Sequence, residues 1–351
     1  MKTSLSLTEM AAELERQASA KRDFVADTRM IEVVDADKID LKLPSGPVEM
    51  KSGEIFRSQL ASHYKVPREY AERIRASYPK LYADTFNTHL SGEPVRRMVR
   101  TLDGSARAFL SDRYRPLDNA DLASAVLPVL LNRSDIVVRS SAITERRFYL
   151  KASSSRIVAE VRRGDVLEIG IAISNSEIGD GSLSVSPFLR RCVCDNGMII
   201  DDYGQKKYHV GKRASGEENA YELYTDRTKQ LDDAAFFAKV RDTVAGVLTQ
   251  QTLDKVVAKM KEATEQKLDA GKLTEIVEVT AKKFGYSETT QGGILRNLIE
   301  GADLTRYGLM NAITRQSADE ESYDVATKME LDGSRIIELA PTQWRELALA
   351  A

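Results

Sequence analysis

Leu167, Ile169, Ile171 and Ile173 occupy alternate positions of one short run, and this alternation constrains the fold more than any other feature of the chain. A period of two marks a strand with one buried face. The run at 147–153 alternates in a complementary way. Phe148, Leu150 and Ala152 share one face, and Arg147, Tyr149, Lys151 and Ser153 share the other. Together the two runs predict an antiparallel sheet with an apolar face turned to a core and a basic, partly aromatic face turned outward. Strands are expected at 135–143, 146–152, 156–162, 166–174, 183–187 and 189–194.

Upstream, Asp103-Gly104 separates VRRMVRTL from SARAFLSD, a strong hairpin signal. Short strands are expected across 30–57, with a turn at Pro44-Ser45-Gly46-Pro47. Ser6 and Glu9 form a capping box for a helix over 6–22 with Leu7, Met10 and Leu14 on its apolar stripe. The segment SQLASHYKVPREYAERIR has a helix-turn-helix rhythm, which any pair of short helices shares. Asn119 is placed to cap a helix through Leu131. Beyond Glu217 strand signals fade. Helices are expected over 220–268, as one or two pieces, and over 273–284, with a last one started by a Ser317/Glu320 capping box and ended near Gly333. The fold class is therefore α+β: a central antiparallel sheet with flanking helices and a helical C-terminal region. The division falls at 1–215 and 216–351.

Composition enters through the distribution of charge. The formal net charge is only −2. From Lys51 to Arg213, however, 27 Lys and Arg face 19 Asp and Glu, a net of +8, and 20 of those cations are arginine. Arginine forks onto phosphate and stacks on bases, which lysine does less well. A polyanion partner for the middle of the chain is one reading, and pairing with acidic helices of the same chain is the other. Two cysteines, Cys192 and Cys194, and three scattered histidines predict neither a disulfide nor a zinc site, and no cofactor is expected. The first residues lack an apolar core segment and no run approaches the roughly 18 apolar residues of a membrane helix, so a cytoplasmic protein without a membrane partner is expected.

No catalytic constellation emerges. There is no nucleophile elbow, no HExxH and no P-loop. A metal-dependent nuclease would need acids converging from separate strands, which spacing neither shows nor excludes. The most distinctive segment is Phe109 to Asn119, where Arg113 and Arg115 flank Tyr114. Such a corner could hold phosphates and stack a base, or could pack a tyrosine and bond local carbonyls. The polar loop from Ile173 to Ser182 contains glycines that could cradle a phosphate, but it reads first as a plain strand connection. Arg190-Arg191-Cys192-Val193-Cys194-Asp195 leads to an Asn196-Gly197 turn.

Three segments taken together, AFLSDRYRPLDN (108–119), ISNSEIGDGSLSVSPFLRRCVCDNGMI (173–199) and LTRYGLMNAITRQSADEESYDVATKMELDG (304–333), resemble the phage- and plasmid-encoded family catalogued as domain of unknown function number 932. The resemblance spans roughly residues 40 to 340. It implies a mobile-element origin and supplies no catalytic residues. The expectation is a single-stranded DNA-binding protein of recombination or replication, able to anneal strands and to assemble as a homo-oligomer, with a host or phage replication protein as a further partner. Arg96, Arg97, Arg100, Arg113, Arg115, Arg147 and Lys151 would hold phosphates, and Tyr114 and Tyr149 would stack on bases. The alternative is a non-enzymatic structural or protein-interaction protein.

Overall fold

The computed structural model describes residues 5–114, 116–181, 183–200 and 226–349. The expected division at 215/216 lies outside them, as do Arg115 and the basic pairs Lys206-Lys207 and Lys212-Arg213.

The N-terminal half builds a six-stranded sheet. After helix α1 (Leu7–Ala20) come β1 (Arg22–Asp27), β2 (Ile31–Val33), β3 (Lys38–Leu43) and β4 (Gly46–Ser52). Helices α2 (Glu54–His63), α3 (Arg68–Ser77) and α4 (Pro79–Gly92) follow, then β5 (Arg96–Leu102) and β6 (Ser105–Ser111). The strand order is β1-β5-β6-β4-β3-β2, antiparallel except where β4 meets β6 at Lys51 and Ser52. The β5–β6 turn uses Asp103 at φ 51° and Gly104 at φ 72°, the left-handed pair that a tight hairpin needs. Helices α2–α4 cover one face, packing Phe56, Leu60, Ile74, Phe86 and Leu90 onto Ile39, Leu41, Val99 and Phe109. The pair with a helix-turn-helix rhythm, α2 and α3, is thus committed to this core through Phe56, Leu60, Ala71 and Ile74.

The second sheet follows helix α5 (Asn119–Leu131). Its strands are β7 (Ile136–Ile143), β8 (Phe148–Glu160), β9 (Val166–Asn175), β10 (Ser184–Arg191) and β11 (Asn196–Ile199), in the antiparallel order β11-β10-β9-β8-β7. Leu167, Ile169, Ile171 and Ile173 are all at most 2% exposed, as their alternation predicts. Ile171 and Ile173 meet α1, α5 and α6 (Asp226–Val247). Leu167 and Ile169 meet α7 (Gln250–Glu265) and the helices after it. Those are α8 (Leu273–Phe284), α9 (Glu288–Gly301), α10 (Arg306–Gln316), α11 (Tyr323–Glu338) and α12 (Pro341–Ala348). The α+β class holds.

Several boundaries differ from the sequence reading, each for a physical reason. The strands expected at 146–152 and 156–162 are one strand. Between Ser153 and Val158 β8 bulges, while its partner advances only from Gly170 to Glu168. Asp135 supports the bulge by accepting from Ser154 Oγ, and its carbonyl accepts from the Ser155 amide at 2.8 Å. β10 likewise runs unbroken through Pro187. The turn after it is made by Asp195 at φ 51°, so Asn196 and Gly197 already belong to β11. Asp118, not Asn119, is the N-cap of α5, and its side chain is drawn away to Arg100. Helix α11 is capped by Ser322, while Glu320 accepts from Thr290 instead. Gly333 does not stop α11: a Cβ there would lie 2.5 Å from Thr314 Cγ2, so the glycine allows α10 and α11 to approach.

The two sheets are joined through a buried polar node. Glu177, 2% exposed, lies in the loop after β9. Its carboxylate takes Lys21 Nζ at 2.5 Å, Arg107 at 3.3 Å and the Asn119 backbone N–H at 2.8 Å. Its carbonyl accepts from Arg100 at 2.7 Å. Arg100, 3% exposed, also donates to Asp23 at 3.1 Å and Asp118 at 2.8 Å. Replacing Arg100 by Met strands three acceptors, and breaking a buried pair from one side costs about 3–5 kcal/mol. R100M should therefore lower the urea unfolding midpoint steeply; an unchanged midpoint would refute this role. Burial alone would raise the Asp118 carboxyl, but the charges of Arg100 and Lys21 outweigh it and hold it below the usual carboxylate range. The node thus contributes stability above the unfolded-state value of about 4, and this is lost as pH falls through the folded value. In acid titrations monitored by circular dichroism, D118N should show a flatter loss of stability below about pH 4 than the parent chain.

Candidate nucleic-acid interface

The β5–β6 register determines which of the expected cations meet. Arg97 pairs with Ser111, so Arg96 and the Asp112-Arg113 turn lie at the same end of the six-stranded sheet. Alternation sends Arg97 to the helix-covered side with Val99 and Phe109, and Arg96 to the other. Arg96 and Arg113 are exposed and Arg97 is half-buried.

Arg97 is the unusual member. Its guanidinium lies 5.3 Å from the centre of the Phe109 ring and bonds His63 Nδ1 through Nη2. Its Nε is buried with no acceptor, and among the described residues no carboxylate pairs with it. Burial holds its pKa below the usual arginine value. His63 is shifted down as well, by burial and then by Arg97, so a neutral ring can accept from the guanidinium.

The other expected contacts are placed differently. Arg100 belongs to the buried node. Arg115 lies outside the described residues. The Tyr114 hydroxyl donates to the Ser176 carbonyl at 3.3 Å, and burial raises its pKa. Tyr114 therefore braces the loop after β9. Arg147 donates to the Asp180 carbonyl at 2.6 Å and braces the same loop further along.

Tyr149 and Lys151 show the largest departure from the sequence reading. The face of β8 expected to be outward is covered by α11, leaving the two residues 4% and 5% exposed. Tyr149 donates to Asp324 at 2.5 Å. Lys151 Nζ lies 2.5 Å from Glu330 and 4.7 Å from the centre of the Tyr323 ring. Burial disfavours the ammonium, but Glu330 more than offsets it, so the Lys151 pKa rises. The polar face is an interior interface because its complementary acids arrive on a helix 173 or more positions later in the chain.

Sequence reasoning also missed Glu168, a second polar centre. It gathers Ser153 at 2.7 Å, Arg139 at 2.8 Å and Arg190 at 3.2 Å. Its place opposite the Leu167–Ile173 apolar face was readable; its partners were not. Cys192 and Cys194 sit in the adjoining turn as free thiols, half-buried and exposed respectively. Among the described residues, no three His, Cys, Asp or Glu side chains could hold a metal ion, and no helix is long and apolar enough to cross a membrane.

The fold and the site define a two-sheet α+β protein whose sheets are locked by a buried charge node, with a basic rim at one sheet end. Residues 108–330 match the family described as domain of unknown function (DUF932), and the chain belongs to that family. No curated protein and no solved structure matches it. The family region begins in β6 and ends in α11, so it contains Glu177, Glu168 and the Lys151–Glu330 pair.

The Lys151–Glu330 pair gives a direct test of how α11 is held. K151M leaves Glu330 buried without its cation and should cost about 3–5 kcal/mol. The double variant K151M/E330L, with packed apolar side chains, should recover most of that loss in denaturant unfolding. A double variant no better than K151M would refute the account.

Proposed function

We propose that this protein binds nucleic acid, single-stranded DNA in particular, at the end of the six-stranded sheet that carries Arg96, Arg97 and Arg113, with no catalytic step. The observation that carries the reading is Arg97: a half-buried guanidinium with an unbonded Nε and no carboxylate partner among the described residues. Desolvating a cation without a bonded counter-ion is unfavourable; Asp112 opposes this through its charge alone, and a backbone phosphate would supply a bonded anion. Arg96 and Arg113 extend the rim. Tyr114 and Tyr149 are engaged elsewhere, so stacking falls to guanidinium planes rather than tyrosines. A protein of this kind fits strand protection or annealing in the recombination or replication of a phage or plasmid, acting as a homo-oligomer in the cytoplasm.

One observation favours the rival reading of a protein-interaction module. Arg100, Arg107, Arg139, Lys151, Arg190 and Arg191 each hold a carboxylate of their own chain, so much of the central positive charge is internally matched.

Fluorescence anisotropy with a labelled oligonucleotide separates the two. Binding that neutralises about five phosphates should weaken roughly a hundredfold between 50 and 200 mM salt, and R96E/R113E should reduce both affinity and salt slope. A salt-independent signal, or none at 50 mM, would refute the nucleic-acid reading.

A further inference from the structure

The Arg97 guanidinium is held by an imidazole rather than by a bonded carboxylate, and an imidazole changes charge near neutral pH. Arg97 Nη2 bonds His63 Nδ1 and lies 3.1 Å from Nε2, so it stands against the ring edge between the two nitrogens. A neutral ring offers one accepting nitrogen there, whichever tautomer is present. An imidazolium has two N–H groups and no acceptor. Protonation of His63 therefore removes the bond and sets two cations against each other.

The groups around the pair pull in both directions. His63 is the last residue of α2, and the carbonyl end of a helix favours a charged ring. Glu93, just after α4, favours it through its charge. Arg97 on β5 opposes it. Burial opposes it as well, against Tyr64 and Phe109, whose ring centres lie 4.6 and 5.7 Å away. Tyr64 is uncharged near neutral pH, since burial raises its hydroxyl. His89 on α4 stacks on Tyr64 at 5.1 Å, and its Nδ1 lies 3.3 Å from Glu93. Asp112, after β6, acts on Arg97 through its charge without an ion pair. Burial and then Arg97 outweigh Glu93, so His63 titrates below its ordinary 6.5.

An anion on Arg97 would reverse that order. Beside a bound phosphate, a second positive charge at His63 is favourable. Proton and anion then each strengthen the binding of the other by the same factor. Arginines alone would confer no such dependence, because a guanidinium stays charged throughout.

We propose that His63 is a proton-operated latch on Arg97: the neutral ring holds the guanidinium, and the protonated ring releases it and joins it as a second cation for a backbone phosphate. The identity of the anion rests on the nucleic-acid reading above. The latch itself rests on the His63–Arg97 contact.

Two measurements on the full chain test it. The first follows the His63 ring by proton NMR as pH is varied, with H63Q identifying the signal. R97M removes the cation and should raise the His63 midpoint by about half a pH unit or more. An unmoved midpoint would overturn the latch. The second is anisotropy with a labelled oligonucleotide at constant ionic strength. Affinity should rise about fivefold or more from about pH 7.5 to about pH 5.5, most of the change expected if binding raises His63 by about one unit. H63Q, neutral throughout, should bind equally at both. A flat response in the parent protein, or an H63Q that keeps the parent's dependence, would overturn the proposal. If no oligonucleotide binds at either pH, the nucleic-acid reading falls and the linkage with it, while the ring titration still decides whether His63 holds Arg97.

Discussion

The buried Glu177 carboxylate is the contact on which the arrangement of the two sheets depends. It draws together the end of α1 through Lys21, β6 through Arg107 and the start of α5 through the Asn119 amide. Arg100 binds the same residue's carbonyl and extends the node to β1 and the N-cap of α5. Three cations, Lys21, Arg100 and Arg107, meet three anions, Asp23, Asp118 and Glu177. Desolvation offsets much of the attraction in such a cluster, so its consequence is chiefly geometric. Separating the two sheets here would leave these buried charges unmatched.

The same logic fastens the C-terminal helices. Lys151 meets Glu330, Arg162 meets Asp303, and Arg191 meets Asp165, which also accepts from Tyr307 at 2.9 Å. The uneven charge along the chain has a structural component in consequence. Lys151 and Arg162 are matched by distal acids, and Arg107, Arg139, Arg190 and Arg191 by acids of the central stretch itself. Net charge over a stretch of sequence therefore overstates the field presented to solvent, and each cation must be weighed by its partner.

Much of the architecture was legible because it rests on local periodicity. The alternation of Leu167 to Ile173 identified a strand and its buried face, and Asp103-Gly104 identified a hairpin. Ser6 with Glu9 identified a helix start whose capping box is present. Features that failed depend on distant partners. The Ser317/Glu320 spacing matched a capping box, but Glu320 is engaged by Thr290. Gly333 read as a stop, yet Thr314 of another helix explains it. The polar face of β8 was correctly grouped and then assigned to solvent. Alternation reports which residues share a face, not what later covers it. The basic rim was legible only in part: Arg96, Arg97 and Arg113 were named with six others, and nothing in one dimension separates them.

What separates them is the count of acceptors around each guanidinium. Arg100 is almost fully buried and finds two carboxylates and a carbonyl, so its burial is compensated within the fold. Arg97 is half-buried and finds a neutral imidazole and an aromatic face. Cation–π contact contributes about 0.5–1 kcal/mol at partly exposed sites, less than a hydrogen-bonded counter-ion would. A fold that pairs Arg100, Arg107, Arg139 and Arg190 with acids leaves Arg97 without an ion-paired one among the described residues. Among the described residues, Asp112 acts on that guanidinium only through its charge, without an ion pair.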